Sequence, residues 1–154
     1  MHSRYYDDFK VGDKFVTGAR TVTEADVMNF CGLAGIFNPL FVDEEYAKKN
    51  TIFGTRVVPG PLTYIFSVGM WMRMGLLDYT VMAFLGADEV RAHAPVFHGD
   101  TLHSEVEMIE ARETSKADRG ILKARHVTLN QKGEKVMSMV MSYMIRRRAS
   151  EHGV

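Results

Sequence analysis

Gly60 stands between Pro59 and Pro61 at the head of a long apolar stretch. Neither proline carries a backbone N–H, so a helix starting here offers the Gly60 amide as the only donor of the triplet. An N–H at a helix N-terminus, aligned with the helix dipole, holds an anion or a carbonyl oxygen. The polar side chains nearby are Asn38, whose amide is a poor base, and the hydroxyls of Tyr64 and Ser67; these are the candidates for catalytic work. Each also has a structural reading. Asn38 precedes a proline and forms turns, Tyr64 fills a core or a dimer interface, and Ser67 packs. Cys31 reads as a small hydrophobe and Asp43 as a helix N-cap. His93, His98 and His103 are spaced by five, which raises a metal site. A strand alternates faces, however, and a Gly-Asp turn intervenes, so nothing makes the three converge; they read as histidines of polar loops and strands. Arg56 is the candidate for contact with a phosphate or carboxylate. Arg146-Arg147-Arg148 reads as a solvated charge run.

The elements that must position these groups follow from local signals. Asp13 to Thr21 is predicted as the first strand. Thr23 caps a helix from Glu24 to Ala34 that stops at Gly35, with Val22 and Val27 at hydrophobic-staple spacing. A loop from Gly35 to Val42 leads to a short helix capped by Asp43, running through Lys49 and stopping at Asn50. A long helix starts at Val58-Pro59-Gly60 with Pro61 first, and Leu62, Ile65, Phe66, Gly69, Met72 and Leu76 keep its period. Strands are expected at Val81 to Pro95 with a bulge at Gly86, at Leu102 to Ile109, at Gly120 to Leu129 and at Glu134 to Arg146. Asn130-Gln131-Lys132-Gly133 turns the last pair into a hairpin. Met137, Met139, Met141, Tyr143 and Ile145 make one apolar sheet face, and the long helix is its obvious cover. The expectation is an α+β hot-dog fold: a curved antiparallel sheet wrapped around a long central helix, one domain over 1–154.

Composition excludes several classes. In 154 residues, 46% hydrophobic and 25% charged, there is enough apolar surface for a core. Lys plus Arg is 19 and Asp plus Glu is 19, so no global basic surface invites nucleic acid. The one cysteine excludes an internal disulfide framework and a cysteine-only zinc site, and suits a reducing, cytoplasmic setting. Met1 to Lys10 lacks the apolar run of a secretory signal. Leu62 to Leu77 is too short for a membrane span of about 20 residues and contains Arg73. Eleven methionines are many for this length; thioether side chains fill irregular core gaps or line an adaptable tunnel for an acyl chain.

Three segments carry a resemblance. Gly35-Ile36-Phe37-Asn38-Pro39-Leu40-Phe41-Val42-Asp43, Phe53-Gly54-Thr55-Arg56-Val57-Val58-Pro59-Gly60 and Ala94-Pro95-Val96-Phe97-His98-Gly99-Asp100-Thr101-Leu102 resemble the MaoC-like dehydratases. That family includes the (R)-specific enoyl-CoA hydratases. The resemblance covers roughly Tyr6 to Arg147. It implies a site that takes a coenzyme A or acyl-carrier-protein thioester as substrate or ligand, with no separate cofactor and no metal. It also implies a dimer or dimer-based oligomer, with no nucleic-acid or membrane partner. It assigns Gly60 the thioester oxygen, and marks Ile36, Phe41 and Asn38 as neighbours of the substrate; Arg56 joins them from its place in the loop before the long helix.

The chain departs from the family where hydration chemistry resides. The first motif of the family usually reads Gly-Asp-aromatic-Asn-Pro-Leu-His-x-Asp, and its Asp and His form the hydration dyad. Here Ile36 and Phe41 hold those places, and Pro59 holds that of a further common histidine. Adding water to an α,β-unsaturated thioester needs a base, an acid and donors for the enolate-like oxygen; each proton-transfer group is worth roughly 10²–10⁴-fold. Losing both removes about 5–11 kcal/mol of transition-state stabilisation if the effects add. The expected functions are therefore an acyl-thioester hydratase or dehydratase of this family that acts on a substrate other than a simple enoyl-CoA or by altered residues, a non-catalytic acyl-CoA-binding subunit beside a dyad-bearing homologue, or an acyl-CoA sensor.

Overall fold

The structure, a computed structural model, describes residues 3–148. The remaining residues of the expected 1–154 domain, 1–2 and 149–154, lie outside the described residues. Four long segments make most of one antiparallel sheet: β3 (Val81–Ala92), β4 (Thr101–Glu113), β5 (Arg119–Leu129) and β6 (Lys135–Arg146). The short strands β1 (Lys14–Val16) and β2 (Arg20–Thr21) both pair with β4. The order is β1-β4-β5-β6-β3, leaving β3 as an edge. Helix α4 (Gly60–Met72) packs against the concave face, the hot-dog arrangement.

Capping fixes α1 (Glu24–Ala34) at the predicted bounds. Thr23 accepts from the Asp26 N–H, Asp26 reaches back to the Thr23 N–H, and Gly35 closes the helix at φ +70°. Val22 and Val27 are both fully buried. The predicted first strand is broken instead. Pairing with β4 stops after Thr17, whose hydroxyl accepts from the Ser104 N–H, and resumes at Arg20. The predicted loop before Asp43 contains a turn of helix, α2 (Pro39–Val42), capped by Asn38; α3 (Glu44–Asn50) follows with Asp43 as its cap. The β3 strand ends at Ala92 rather than Pro95, and Gly86 sits at the expected irregularity with φ +155°.

The central helix is shorter and turned differently from the predicted stripe. It ends at Met72, and Gly75 in a left-handed turn carries the chain on to buried Leu76 and Leu77. Its buried face is Leu62, Thr63, Phe66, Ser67, Met70 and Trp71, whereas Ile65 is exposed. Burying the Ser67 hydroxyl costs little because it is paired. Ser67 Oγ lies 3.1 Å from Ser104 Oγ, which lies 3.0 Å from Thr128 Oγ1. Trp71 stands edge-on to Phe15 and His126, at centroid distances of 5.5 and 5.8 Å. Leu62, Phe66 and Met70 join Val22, Val27 and Cys31 in a second cluster, so α1 closes one end of the sheet. Among the described residues, no helix is long and apolar enough to cross a membrane.

Arg146 and Arg148 are exposed, as expected of a solvated charge run, and Arg147 and Arg148 are also ion-paired. Arg147 pairs with Asp7 and Glu113, and Arg148 pairs with Asp8, so they clamp the turn Tyr6–Asp8 onto the sheet.

Candidate active site

The loop before α4 is held on two sides. On one, Val57 bridges Phe97 and the Val58 N–H donates to Val96. The Phe97 loop is itself pinned. Asp100 accepts from the Phe97 N–H and from Gln131, while the Gly99 N–H donates to Val22. The Pro95-to-Thr101 motif is thus a clamp on the head of the helix. On the other side, Val57 N–H reaches Leu40 of α2, while the Asn38 side chain accepts from Leu40 and its carbonyl from Phe41. Asn38 is spent as a cap, which sets α2 so that Phe41 packs against the cluster around Leu62 and Phe66.

These constraints leave one donor at the helix head. Pro59 (ψ 133°) is the cap, its carbonyl accepts from the Leu62 and Thr63 N–H groups, and Pro61 has no N–H. Among the described residues, the Gly60 N–H has no partner. A Cβ built on Gly60 would meet no atom within 4 Å. The space beside it is a cavity of about 330 Å³, bounded by Gly60, Leu40, Phe41, Phe53, His93 and Val96 among others. Among the described residues, no carboxylate, lysine or arginine is part of its wall, and Thr63 and His93 are the polar residues there.

Gly60, Tyr64, Val68 and Met72 follow at four-residue intervals, one ridge of α4 about 18 Å long. Beyond Gly60 that ridge faces a second, apolar groove of about 370 Å³, closed by β3 and by Met141 and Tyr143 of β6. Met72, Met82 and Met141 line it. Burial pushes the Tyr143 phenol above its ordinary range, and the nearby Tyr64 adds to this.

The structure brings Gly60 and Phe41 together and sets Tyr64 in the adjoining groove. Ile36 lies outside the cavity wall, at the end of α1, with its N–H bonded to Cys31. Ser67 is fully buried in the hydroxyl chain with Ser104. Arg56, expected to meet a ligand anion, instead holds two carboxylates of its own chain: Nη1 lies 2.9 Å from Glu24, and Nε lies 3.1 Å from Glu44. Hydrogen bonds from Thr55 and Arg56 hold the Glu44 carboxyl down at about 2. His98 lies beside this cluster, its pKa lowered by burial and then by Arg56. His103 is on β4, so the three histidines are spread over separate places, and among the described residues no three metal-ligating side chains gather.

His93 is exposed in the loop that follows β3, on the polar surface where the sequence reading puts it. It borders the cavity, its N–H continues the pairing with β6 through Val136, and its Nε2 lies 2.7 Å from Ser138 Oγ. Nothing in a single strand pattern marks that bond. Its place depends on β3 and β6 meeting at the head of α4.

A curved antiparallel sheet packed on a central helix defines a hot-dog protein, and the residue at the head of that helix, Gly60, borders an apolar cavity. The chain belongs to the MaoC-like domain family, which matches residues 8–130. It is 31% identical to the uncharacterized protein YdeM of Bacillus subtilis over 92% of this chain and 98% of that one. It is 32% identical to the (R)-specific enoyl-CoA hydratase of Rhodospirillum rubrum over 66% of this chain and 67% of the relative. Among solved structures, the monoamine oxidase regulatory protein from Archaeoglobus fulgius superposes with a TM-score of 0.87 at 34% identity, covering 96% of this chain and 97% of that one.

Proposed function

We propose that the protein binds an acyl thioester, carried by coenzyme A or acyl carrier protein, with its carbonyl on the Gly60 N–H and its acyl chain along the apolar ridge of α4. The unspent Gly60 donor at the wall of an apolar cavity carries this reading. Hydration by the usual dyad is slow or absent, because Ile36 and Phe41 replace the proton-transfer pair and, among the described residues, no carboxylate borders the cavity. The thioester is the ligand, and no separate cofactor is required. The open edge of β3, with exposed Val81, Met82, Phe84, Leu85 and Val90, is the face for a second copy and gives a homodimer.

Binding is tested by calorimetric titration with short, long, branched and aromatic acyl-CoA esters, together with loss of enoyl absorbance. Saturable binding with little hydration is expected; no binding across the panel refutes the reading. The carboxylate-free wall also supports a second reading, a non-catalytic subunit of a heteromeric hydratase. Co-purification with a dyad-bearing homologue distinguishes that case from a homodimer.

A further inference from the structure

We propose that Thr63 is a specificity-determining residue of this cavity: its hydroxyl hydrogen-bonds a hydroxyl or oxo group carried on the acyl chain close to the thioester carbonyl. The inference rests on the reading that the carbonyl lies on the Gly60 N–H. It goes beyond that reading in naming which acyl groups the site prefers and the side chain that selects them.

Thr63 is 2% exposed and borders the cavity beside Gly60. A helical threonine commonly spends its hydroxyl on a carbonyl three or four residues back, here Gly60 or Pro59. Neither takes it; the Pro59 oxygen accepts from the Leu62 and Thr63 N–H groups instead. Among the described residues the Thr63 hydroxyl has no hydrogen-bond partner, yet it is not sealed in the core as Trp71 Nε1 and the His126 nitrogens are. Its open side is the cavity. Ser67, one turn further along the same buried face, shows the contrast, since its hydroxyl is spent on Ser104 at 3.1 Å. Valine would fill the Thr63 position without a polar atom to satisfy, so packing alone does not call for a hydroxyl there.

Helix geometry sets what that hydroxyl reaches. Gly60 and Thr63 are three residues apart, so they share a face of α4 and are separated by about 4.5 Å of rise. Helical side chains tilt towards the N-terminus, which carries the Thr63 hydroxyl up beside the first turn. A carbonyl oxygen on the Gly60 N–H stands about 2.9 Å beyond that nitrogen, off the helix end, where Thr63 does not reach it. The acyl chain runs back along α4 and passes Thr63 with its first few carbons. A substituent on the carbon two bonds from the carbonyl carbon is then level with the hydroxyl. Thr63 both donates and accepts, so a ligand hydroxyl or an oxo group serves. Thr63 stands on one side of the chain, so a chiral hydroxyl is received better in one configuration than in the other. An unsubstituted acyl group passes the hydroxyl without bonding it.

The test is calorimetric titration with hexanoyl-CoA and with each enantiomer of 3-hydroxyhexanoyl-CoA. In wild type, one enantiomer should bind about 2–13-fold more tightly than hexanoyl-CoA, as expected for one neutral hydrogen bond. Thr63→Val should abolish that preference while the Kd for hexanoyl-CoA stays within about twofold, and Thr63→Ser should keep it. Circular dichroism melts check that the variants are folded, and Thr63→Ala replaces Thr63→Val if the latter is not. Equal wild-type affinity for the three esters, or a preference that survives loss of the hydroxyl, overturns the role of Thr63 and leaves the thioester reading intact. Failure of wild type to bind any of the three overturns both.

Discussion

His126 makes the stability of this fold depend on acid in a way that can be worked out from its surroundings. The ring is 0% exposed, edge-on to Trp71, and among the described residues neither ring nitrogen has a partner. Its neighbours across the sheet are Val106 and Met139. Burial alone pushes its pKa down to about 4. In the unfolded chain the imidazole returns to about 6.5. Between those values the unfolded chain holds a proton that the folded chain does not, so lowering the pH favours unfolding. The stability contributed by neutral burial is complete above about pH 6.5. It is lost at up to about 1.4 kcal/mol per pH unit as pH falls, reaching about 3 kcal/mol near pH 4. His126→Leu keeps the volume and removes the titration. Urea unfolding followed by circular dichroism, at several values from pH 7.5 to pH 4.5, compares the two proteins. The carboxylates held low by their partners, Asp8, Asp26 and Glu44, act alike in both and cancel. The stability gap should widen in favour of the variant by about 2 kcal/mol between pH 6.5 and pH 5. Parallel pH profiles would refute the reasoning.

Two further substitutions separate the site from the scaffold. Gly60→Pro replaces the N–H by the Cδ of the ring: the position is the first of the helix, Pro59 already has the extended ψ that a following proline needs, and a Cβ meets nothing. Melting temperature should hold, affinity for a ketone analogue of acyl-CoA, which keeps the carbonyl but has no acyl–sulfur bond, should fall by about 2–13-fold for the lost neutral hydrogen bond and further for the ring carbon that meets the carbonyl, and any turnover should fall by at least about 10²-fold. Ser67→Ala removes a core hydroxyl while leaving Ser104 bonded to Thr128; it should cost about 1 kcal/mol in chemical denaturation and leave analogue affinity within twofold.

Much of the scaffold was legible because its signals are local. Thr23, Asp26 and Gly35 set the ends of α1 by hydrogen bonds within a few residues, and Asn130–Gly133 turned the β5–β6 hairpin as expected. The face of α4 was not legible from hydrophobic period. Thr63 and Ser67 are buried where partners or packing receive them, while Ile65 borders a groove. Leu76 kept the period but is buried after a turn, by packing with the Tyr6 and Phe9 cluster. The Gly60 donor was readable, since it follows from two prolines and a helix start. The bond between His93 and Ser138 was not, because the two are 45 residues apart. Nor was the fate of Arg56, which depends on carboxylates from α1 and α3.

Amide NMR of isotope-labelled protein, titrated with the ketone analogue, observes the key donor itself. The Gly60 N–H resonance should move downfield and saturate with the same Kd as calorimetry gives, while the amides of the convex sheet face stay still. An unmoved Gly60 resonance at saturating analogue would contradict the placement of a thioester carbonyl at the head of α4.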